Sequence, residues 1–228
     1  MDNFLRPADY AAKIHPSFKY AWINIPKNCS SFIQKVLDDN GWINLESSMI
    51  DIVLKTNSIE KLVILRDPVQ RWISGFAETF GIQDEWDPIL NIDLDKLDIL
   101  LDMDTFWKIV YVNPVMCFHT EHQYRYIGDT KNVRYIKMQD KNLNNHTIVT
   151  NPNKFYRDFS DYITYTGGES NFLHWTKLTN PVNSDNRKFR VYNKILNTIQ
   201  KDKSIQKELK DSHDKDYELF YKLKGFTT

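Results

Sequence analysis

The chain alternates short apolar runs with stretches whose apolar positions recur at helical spacing. Tyr20 to Ile25 (YAWINI) is an apolar run closed by Pro26, which predicts a buried strand. Phe32, Ile33, Val36 and Leu37 then line one helical face, so a helix is predicted from Ser30 to Asp39, stopped by Asn40-Gly41. WINL (Trp42 to Leu45) reads as a short strand. Lys61 to Leu65 (KLVIL) is the second strong strand, broken by Arg66-Asp67-Pro68. A helix over Val69 to Phe80 follows, with Pro68 at its start, where a missing N–H costs little. Further on, Phe106 to Phe118 predicts a helix with a break near Pro114, Val133 to Met138 a third strand, and Asn151 to Tyr162 a helix. Gly167-Gly168 marks a loop, and Asn186 to Leu223 reads as one or two terminal helices. Residues 1–19 read as an irregular lead-in. Strands alternating with helices predict an α/β fold, a three-layer sandwich around a central parallel sheet.

Length and composition narrow the class. A chain of 228 residues suits one substantial domain, 1–228, with a sizeable core. There is no internal repeat and no low-complexity linker. Formal net charge is zero, so bulk electrostatics give no reason to expect nucleic acid or an anionic membrane as partner. Charge is uneven, however: from Gln83 to Asp104 the acidic side chains face only Lys96, with leucines and isoleucines between them that predict an amphipathic helix over part of the segment. Cys29 and Cys117 make neither a disulfide framework nor a zinc spacing. The N-terminal stretch has no long apolar run, so neither a signal peptide nor a membrane anchor is expected. The expected setting is cytoplasmic, in a prokaryote or a virus.

Two stretches carry candidate chemistry. IPKNCSSF (Ile25 to Phe32) runs from a strand into a helix start, where N–H groups and a partial positive charge favour an anion. Asn28, Cys29, Ser30, Ser31 and Phe32 offer amides there, Ser30 and Ser31 offer hydroxyls, and Lys27 offers a point charge. The loop lacks glycine, and the lysine precedes the hydroxyls, so this is not the G-x-x-x-x-G-K-[ST] phosphate loop. The plain alternative is a strand, a Pro-Lys turn and a Ser-capped helix with no ligand. LRDPVQRWISGF (Leu65 to Phe76) is the second stretch: Arg66 leaves a strand end, where a guanidinium grips phosphate with two parallel N–H bonds, and Ser74 follows on the next helix. Arg71 is a further phosphate candidate. The alternative is a helix cap with a local Arg–Asp pair.

The order P-K-x-x-S-S, then R-D-P-V-x-R-x-x-S-x-F, resembles the sulfotransferases that use 3′-phosphoadenosine 5′-phosphosulfate (PAPS), in particular their membrane-associated, carbohydrate-modifying branch. HTEHQYRYIG (His119 to Gly128), VRYIKMQDKNL, HWTKLTNPVNS and DSHDKDYELF resemble later stretches of that branch, so the resemblance spans most of Tyr20 to Phe220. It implies a P-loop-NTPase-like fold, PAPS as co-substrate with no metal, and a carbohydrate or small hydroxylated acceptor. It assigns the 5′-phosphosulfate to the Lys27 loop and the 3′-phosphate to Arg66 and Ser74. Many relatives have glycine or another small residue where Cys29 stands; the loop here is expected to need no positive φ. The family's general base lies between the two stretches, where Glu46 is the first candidate; His119 is its rival and His122 a weaker one. The acceptor pocket is expected from Gln83 to Asp104 and the aromatic stretch Trp107 to Tyr111. Two other readings remain open: a nucleotide- or glycan-binding module without turnover, and a nucleotide kinase with a degenerate phosphate loop. Oligomeric state is not legible.

Overall fold

In the computed structural model, which describes residues 11–81, 94–115, 117–138, 154–170 and 187–222, the apolar runs become strands of one sheet. Its order is β3-β1-β2-β4-β5, with β1 Ala12–Ile14, β2 Tyr20–Ile23, β3 Ile43–Asn44, β4 Glu60–Leu65 and β5 Val133–Lys137. Ten helices lie among the described residues: α1 Ser30–Asp39, α2 Ser47–Lys55, α3 Pro68–Gly81, α4 Leu94–Leu101, α5 Asp104–Val112, α6 Gln123–Ile127, α7 Lys154–Tyr165, α8 Arg187–Lys201, α9 Lys203–Ser212 and α10 Asp214–Lys222. The chain divides into two compact units. The first comprises Met1–Asp67, Gln123–Pro181 and Leu219–Thr228; the second comprises Pro68–His122 and Val182–Glu218.

The first unit holds the sheet. Side chains alternate across a strand, and β4 shows the consequence. Leu62 and Ile64 face one way, into a cluster with Trp22, Ile136, Phe32 and Ile33 of α1 and Phe155 and Phe159 of α7. Val63 and Leu65 face the other way, against Ile50 and Leu54 of α2 and Tyr126 and Ile127 of α6. Helices therefore cover both faces, as the α/β reading expects, but the sheet is mixed rather than parallel throughout. β2 runs parallel to β4 and β4 to β5, whereas β1 is antiparallel to both β2 and β3. β1 falls in the stretch read as irregular. Its short A-K-I pattern hid it: Lys13 is buried, with Nζ 2.6 Å from both Asp38 Oδ1 and Asn44 Oδ1, so the lysine behaves as an inward-facing residue.

The second unit is helical. Buried Trp72, Ile73 and Phe76 of α3 lie among the unit's core residues with Val191, Ile195 and Ile199 of α8, and α3 packs mainly on α8. The Trp72 Nε1–H donates to the Pro114 carbonyl at 2.8 Å, and the Trp107 Nε1–H to the Leu101 carbonyl at 2.8 Å. The C-terminal stretch forms three helices rather than one or two. Asp202 interrupts it and caps α9, its carboxylate accepting from the Ser204 and Ile205 amides. Within Gln83 to Asp104, the described part forms α4, with Leu97 and Leu101 buried; residues 82–93 lie outside the described residues. No helix among the described residues is long and apolar enough to cross a membrane.

Candidate functional site

β2, β3, β4 and β5 all point the same way, so their carboxyl ends share one edge of the sheet. In open α/β sheets the crevice outside that edge is where ligands bind. The chain leaves β2 into α1, on the face lined by Leu62 and Ile64. After β3 it enters α2, on the face lined by Val63 and Leu65. Both sequence stretches emerge here: the Ile25–Cys29 loop beyond β2, and Arg66 beyond β4.

The loop is strained. Lys27 has φ 69° and Cys29 φ 60°, two left-handed non-glycine residues within one turn. This corrects the expectation that the loop needs no positive φ. Each such residue costs roughly 1–2 kcal/mol, and it persists only where surrounding contacts over-determine the backbone. Those contacts are visible. Asn28 is buried; its Nδ2 donates to the Ile64 carbonyl and to Gln123 Oε1, both at 2.8 Å. Its amide closes the turn on the Ile25 carbonyl at 3.3 Å. The Ser30 hydroxyl donates to the same Ile25 carbonyl at 3.0 Å. Cys29, at the N-cap position, offers no side-chain cap, so the serine-capped helix of the plain reading is not what forms. Its thiol instead contacts Met138 Sδ at 3.6 Å.

Arg66 joins the two stretches. Its Nη1 donates to the Lys27 carbonyl at 3.1 Å, so the guanidinium reaches the first loop directly. Its backbone is held by Gln123, which accepts from the Arg66 amide at 3.1 Å and donates from Nε2 to the Arg66 carbonyl at 2.9 Å. Fully buried Gln123 thus ties loop and strand end through one side chain. Sequence reasoning saw Gln123 only as a position in a family-like string. A glutamine opening a short helix beside apolar residues is a weak signal until its two partners are known.

The remaining predicted residues fall as follows. Ser31 is exposed on the first turn of α1; Phe32 is core, its ring edge-on to Tyr156 at 5.4 Å, so only its amide bears on an anion. The first intrahelical amide is that of Ile33, donating to the Cys29 carbonyl, which leaves the Ser30 and Ser31 amides outside the helix ladder. Glu46 is exposed at the N-cap of α2 and belongs to the same carboxyl edge. Leu45 bonds back to Ala12, itself level with Ile23, which places Glu46 about two strand spacings, ~10 Å, from the end of β2. Ser74 is half-buried on α3 and His119 half-buried in the turn after α5, both in the second unit. His119 is held close there: a Cβ added at Gly75 would lie 2.2 Å from its carbonyl oxygen.

Arg71 and His122, weighed as further phosphate ligand and base, belong to a buried cluster of the second unit. Arg71 Nη1 donates to the Glu121 carbonyl, and Glu121 Oε1 accepts from the His122 amide at 2.9 Å. His122 Nδ1 lies 3.6 Å from Asp216 Oδ2, and its ring meets that of His213 at 5.0 Å. Burial drives the His213 pKa down to about 4, against the opposing influence of the Leu209 carbonyl that its Nδ1–H meets at 2.8 Å. Of the expected acceptor-side aromatics, Trp107 is core and Tyr111 stacks on it with centroids 6.3 Å apart. Among the described residues no three His, Cys, Asp or Glu side chains are grouped to hold a metal ion. The HWTKLTNPVNS stretch lies outside the described residues. Comparison with protein-family models, with curated proteins and with solved structures found no match.

Proposed function

We propose that the chain is a PAPS-dependent sulfotransferase acting on a hydroxyl (or amine) of a carbohydrate or small-molecule acceptor. The observation that carries this reading is the Arg66 Nη1–Lys27 carbonyl bond, which draws the two anion-seeking stretches into one constellation at the carboxyl edge. Backbone strain at Lys27 and Cys29 supports it, because unfavourable dihedrals held in place by buried amides gather at ligand sites.

The residues present suit a ligand with two anionic groups. Lys27 and the Ser30 and Ser31 amides serve one group; the Ser31 hydroxyl, exposed, is a further donor. Arg66 serves the other. Two contributions are smaller than the sequence implied: the Asn28 amide and the Ser30 hydroxyl are committed to the Ile25 carbonyl. Bound here, PAPS would supply an activated sulfuryl group. The chain's part is to align the acceptor oxygen with sulfur, to stabilise charge on the departing phosphate through Lys27 and the loop amides, and to take the acceptor's proton. The acceptor O–S bond forms as the sulfur–oxygen bond to phosphate breaks, and adenosine 3′,5′-bisphosphate leaves. Glu46, on the same edge, is the proposed base. Its exposure also gives weight to a second reading, a nucleotide- or glycan-binding module without turnover.

Incubation with labelled PAPS and a panel of hydroxylated acceptors tests the proposal. Sulfated product from wild type, at least 100-fold less from Lys27→Ala, and loss of adenosine 3′,5′-bisphosphate binding in Arg66→Ala are expected. Bisphosphate binding with no product over the panel would favour the binding module.

A further inference from the structure

The opposite end of the sheet carries a second polar group. At the amino edge Tyr20 of β2 is level with Glu60 of β4, and Arg134 of β5 is level with Leu62. Glu60 and Leu62 are two residues apart, so all three side chains leave the same face, the one that α7 covers. Tyr162 and Tyr165, in the last turn of α7, meet them there. The Tyr20 ring lies 6.4 Å from that of Tyr162 and 5.5 Å from that of Tyr165, centroid to centroid. The Arg134 guanidinium sits 4.5 Å from the Tyr165 centroid and 5.7 Å from that of Tyr162. Five side chains thus gather inside the first unit, about 20 Å along β4 from Arg66.

Two members of the group point to a ligand. The first is Tyr162. It is only 2 % exposed, and among the described residues its hydroxyl has no hydrogen-bond partner. Burial above all, and then the Glu60 carboxylate, hold its pKa above the ordinary tyrosine value, with Arg134 acting in the opposite sense. The hydroxyl therefore faces the charged pair and not the apolar core. A buried hydroxyl left unmet is costly, and native structures carry few of them without a use. The second is Tyr165, whose ring is 53 % exposed beside it. Exposed side chains change rotamer within nanoseconds, which lets Tyr165 swing aside and admit a ligand hydroxyl to Tyr162.

The lining selects the class of ligand. Arg134 and Glu60 form a two-pronged pair, Nε to Oε1 at 2.9 Å and Nη2 to Oε2 at 3.1 Å. Their charges cancel, so the group gives an anion no net attraction. The carboxylate keeps lone pairs that accept from hydroxyls, and the hydroxyls of Tyr20 and Tyr165, bonded to each other, both donate and accept. The tyrosine rings add flat apolar surface. Flat faces beside a rim of mixed donors and acceptors suit a neutral sugar ring, which presents C–H groups on its faces and hydroxyls around its edge.

We propose that the amino edge of the sheet binds an uncharged saccharide unit, seated on Tyr165 and Tyr20 with one hydroxyl bonded to Tyr162. The site shares no residue with the carboxyl edge and does not depend on the nucleotide reading.

The test is calorimetric titration of the full chain as wild type, Tyr162→Phe and Tyr165→Ala with maltohexaose, cellohexaose and chitohexaose, together with urea denaturation of each variant. Wild type is expected to bind at least one of the three, and each variant to bind it roughly 10-fold more weakly or worse. Tyr162→Phe should keep or raise the urea midpoint, because the hydroxyl it removes meets no partner in the free chain. Tyr165→Ala changes a half-exposed ring and carries the test should Tyr162→Phe not fold. Wild type that binds none of the three overturns the proposal, whether or not it binds adenosine 3′,5′-bisphosphate. So does a saccharide that both variants bind as wild type does, since it then sits elsewhere on the molecule. A folded Tyr162→Phe with a lower midpoint would show the hydroxyl already engaged within the fold, which also overturns it.

Discussion

Two buried polar clusters, one in each unit, are built on opposite principles. In the first unit the hub is Gln123, bonded to Asn28 and to both backbone groups of Arg66. These contacts are made by amides and carbonyls that do not titrate, and the cluster leads outward to a loop with two left-handed residues. In the second unit Arg71, Glu121, His122, His213 and Asp216 meet, and all but His122 are buried. The groups are ionisable, and they turn inward on one another. An amide hub holds a strained backbone at constant geometry over a wide pH range, which suits a binding edge. An ionisable hub makes its unit's stability follow pH, which suits a structural joint and no anion site. The difference sets Arg71, held within the second unit's buried cluster, apart from Arg66, which belongs to the proposed ligand site, although both lie in one sequence string.

The largest effect is expected from breaking the amide hub. Gln123→Leu removes three hydrogen bonds and leaves Arg66 backbone groups without this partner. At about 1 kcal/mol per bond plus the penalty for buried groups left unmet, a loss of about 3–4 kcal/mol is expected in urea denaturation. Affinity for adenosine 3′,5′-bisphosphate should vanish even where the variant is folded. A folded Gln123→Leu that binds like wild type would mean the hub does not hold the loop.

The ionisable cluster is probed by acid. Buried His213 is neutral in the folded chain, with a pKa of about 4 against the ordinary 6.5, and the groups facing it are His122, Asp216, Arg71 and the Leu209 carbonyl. Between those values the unfolded chain binds a proton that the folded chain refuses. Stability is therefore whole above pH 6.5 and falls as pH drops toward 4, by about 3 kcal/mol in all. Denaturation midpoints followed from pH 7 to 4 should show this slope, and His213→Gln should flatten it. A wild-type curve as flat as the variant's would show that His213 is not held neutral.

A close approach in the second unit bears on the same cluster. Gly75 lets the His119 carbonyl sit where a Cβ would be only 2.2 Å away, and His119 leads directly to Glu121 and His122. Gly75→Ala should push that turn outward, costing about 2 kcal/mol and making the His213 acid slope shallower. An unchanged slope would detach the turn from the cluster.

How much of this could be read from the chain depends on whether the signal was local. α1 matches its predicted bounds because Phe32, Ile33, Val36 and Leu37 form one stripe and Asn40-Gly41 stops it. β4 and α3 were equally plain. β1 was missed because its lysine is satisfied by residues 25 and 31 positions away. α2 was passed over although Ile50, Val53 and Leu54 line its buried side. Within the candidate site, Lys27 and Arg66 were legible as cations at strand ends. Their link was not, because it runs from a side chain to a backbone carbonyl. Gln123 was invisible for the same reason.

The smallest expected effect separates strain from function in the loop. Cys29 sits at φ 60° without capping α1, where glycine would adopt the same backbone freely. Relief of roughly 1–2 kcal/mol is partly offset by the greater entropy glycine loses on folding, so Cys29→Gly should raise stability by about 1 kcal/mol or slightly less. The thiol contact with Met138 is lost, but Gln123, Asn28 and Arg66 are untouched, so bisphosphate affinity should stay within about twofold of wild type, well under the 1.4 kcal/mol of a tenfold change. Cys29→Val, whose branched side chain tolerates the left-handed region worst, should lose stability and affinity together. If Cys29→Gly gains stability but loses affinity, the strain at Cys29 is part of how the loop is shaped for its anion. If both variants leave stability unchanged, the left-handed turn is not held as described, and the amide hub has no strained loop to restrain.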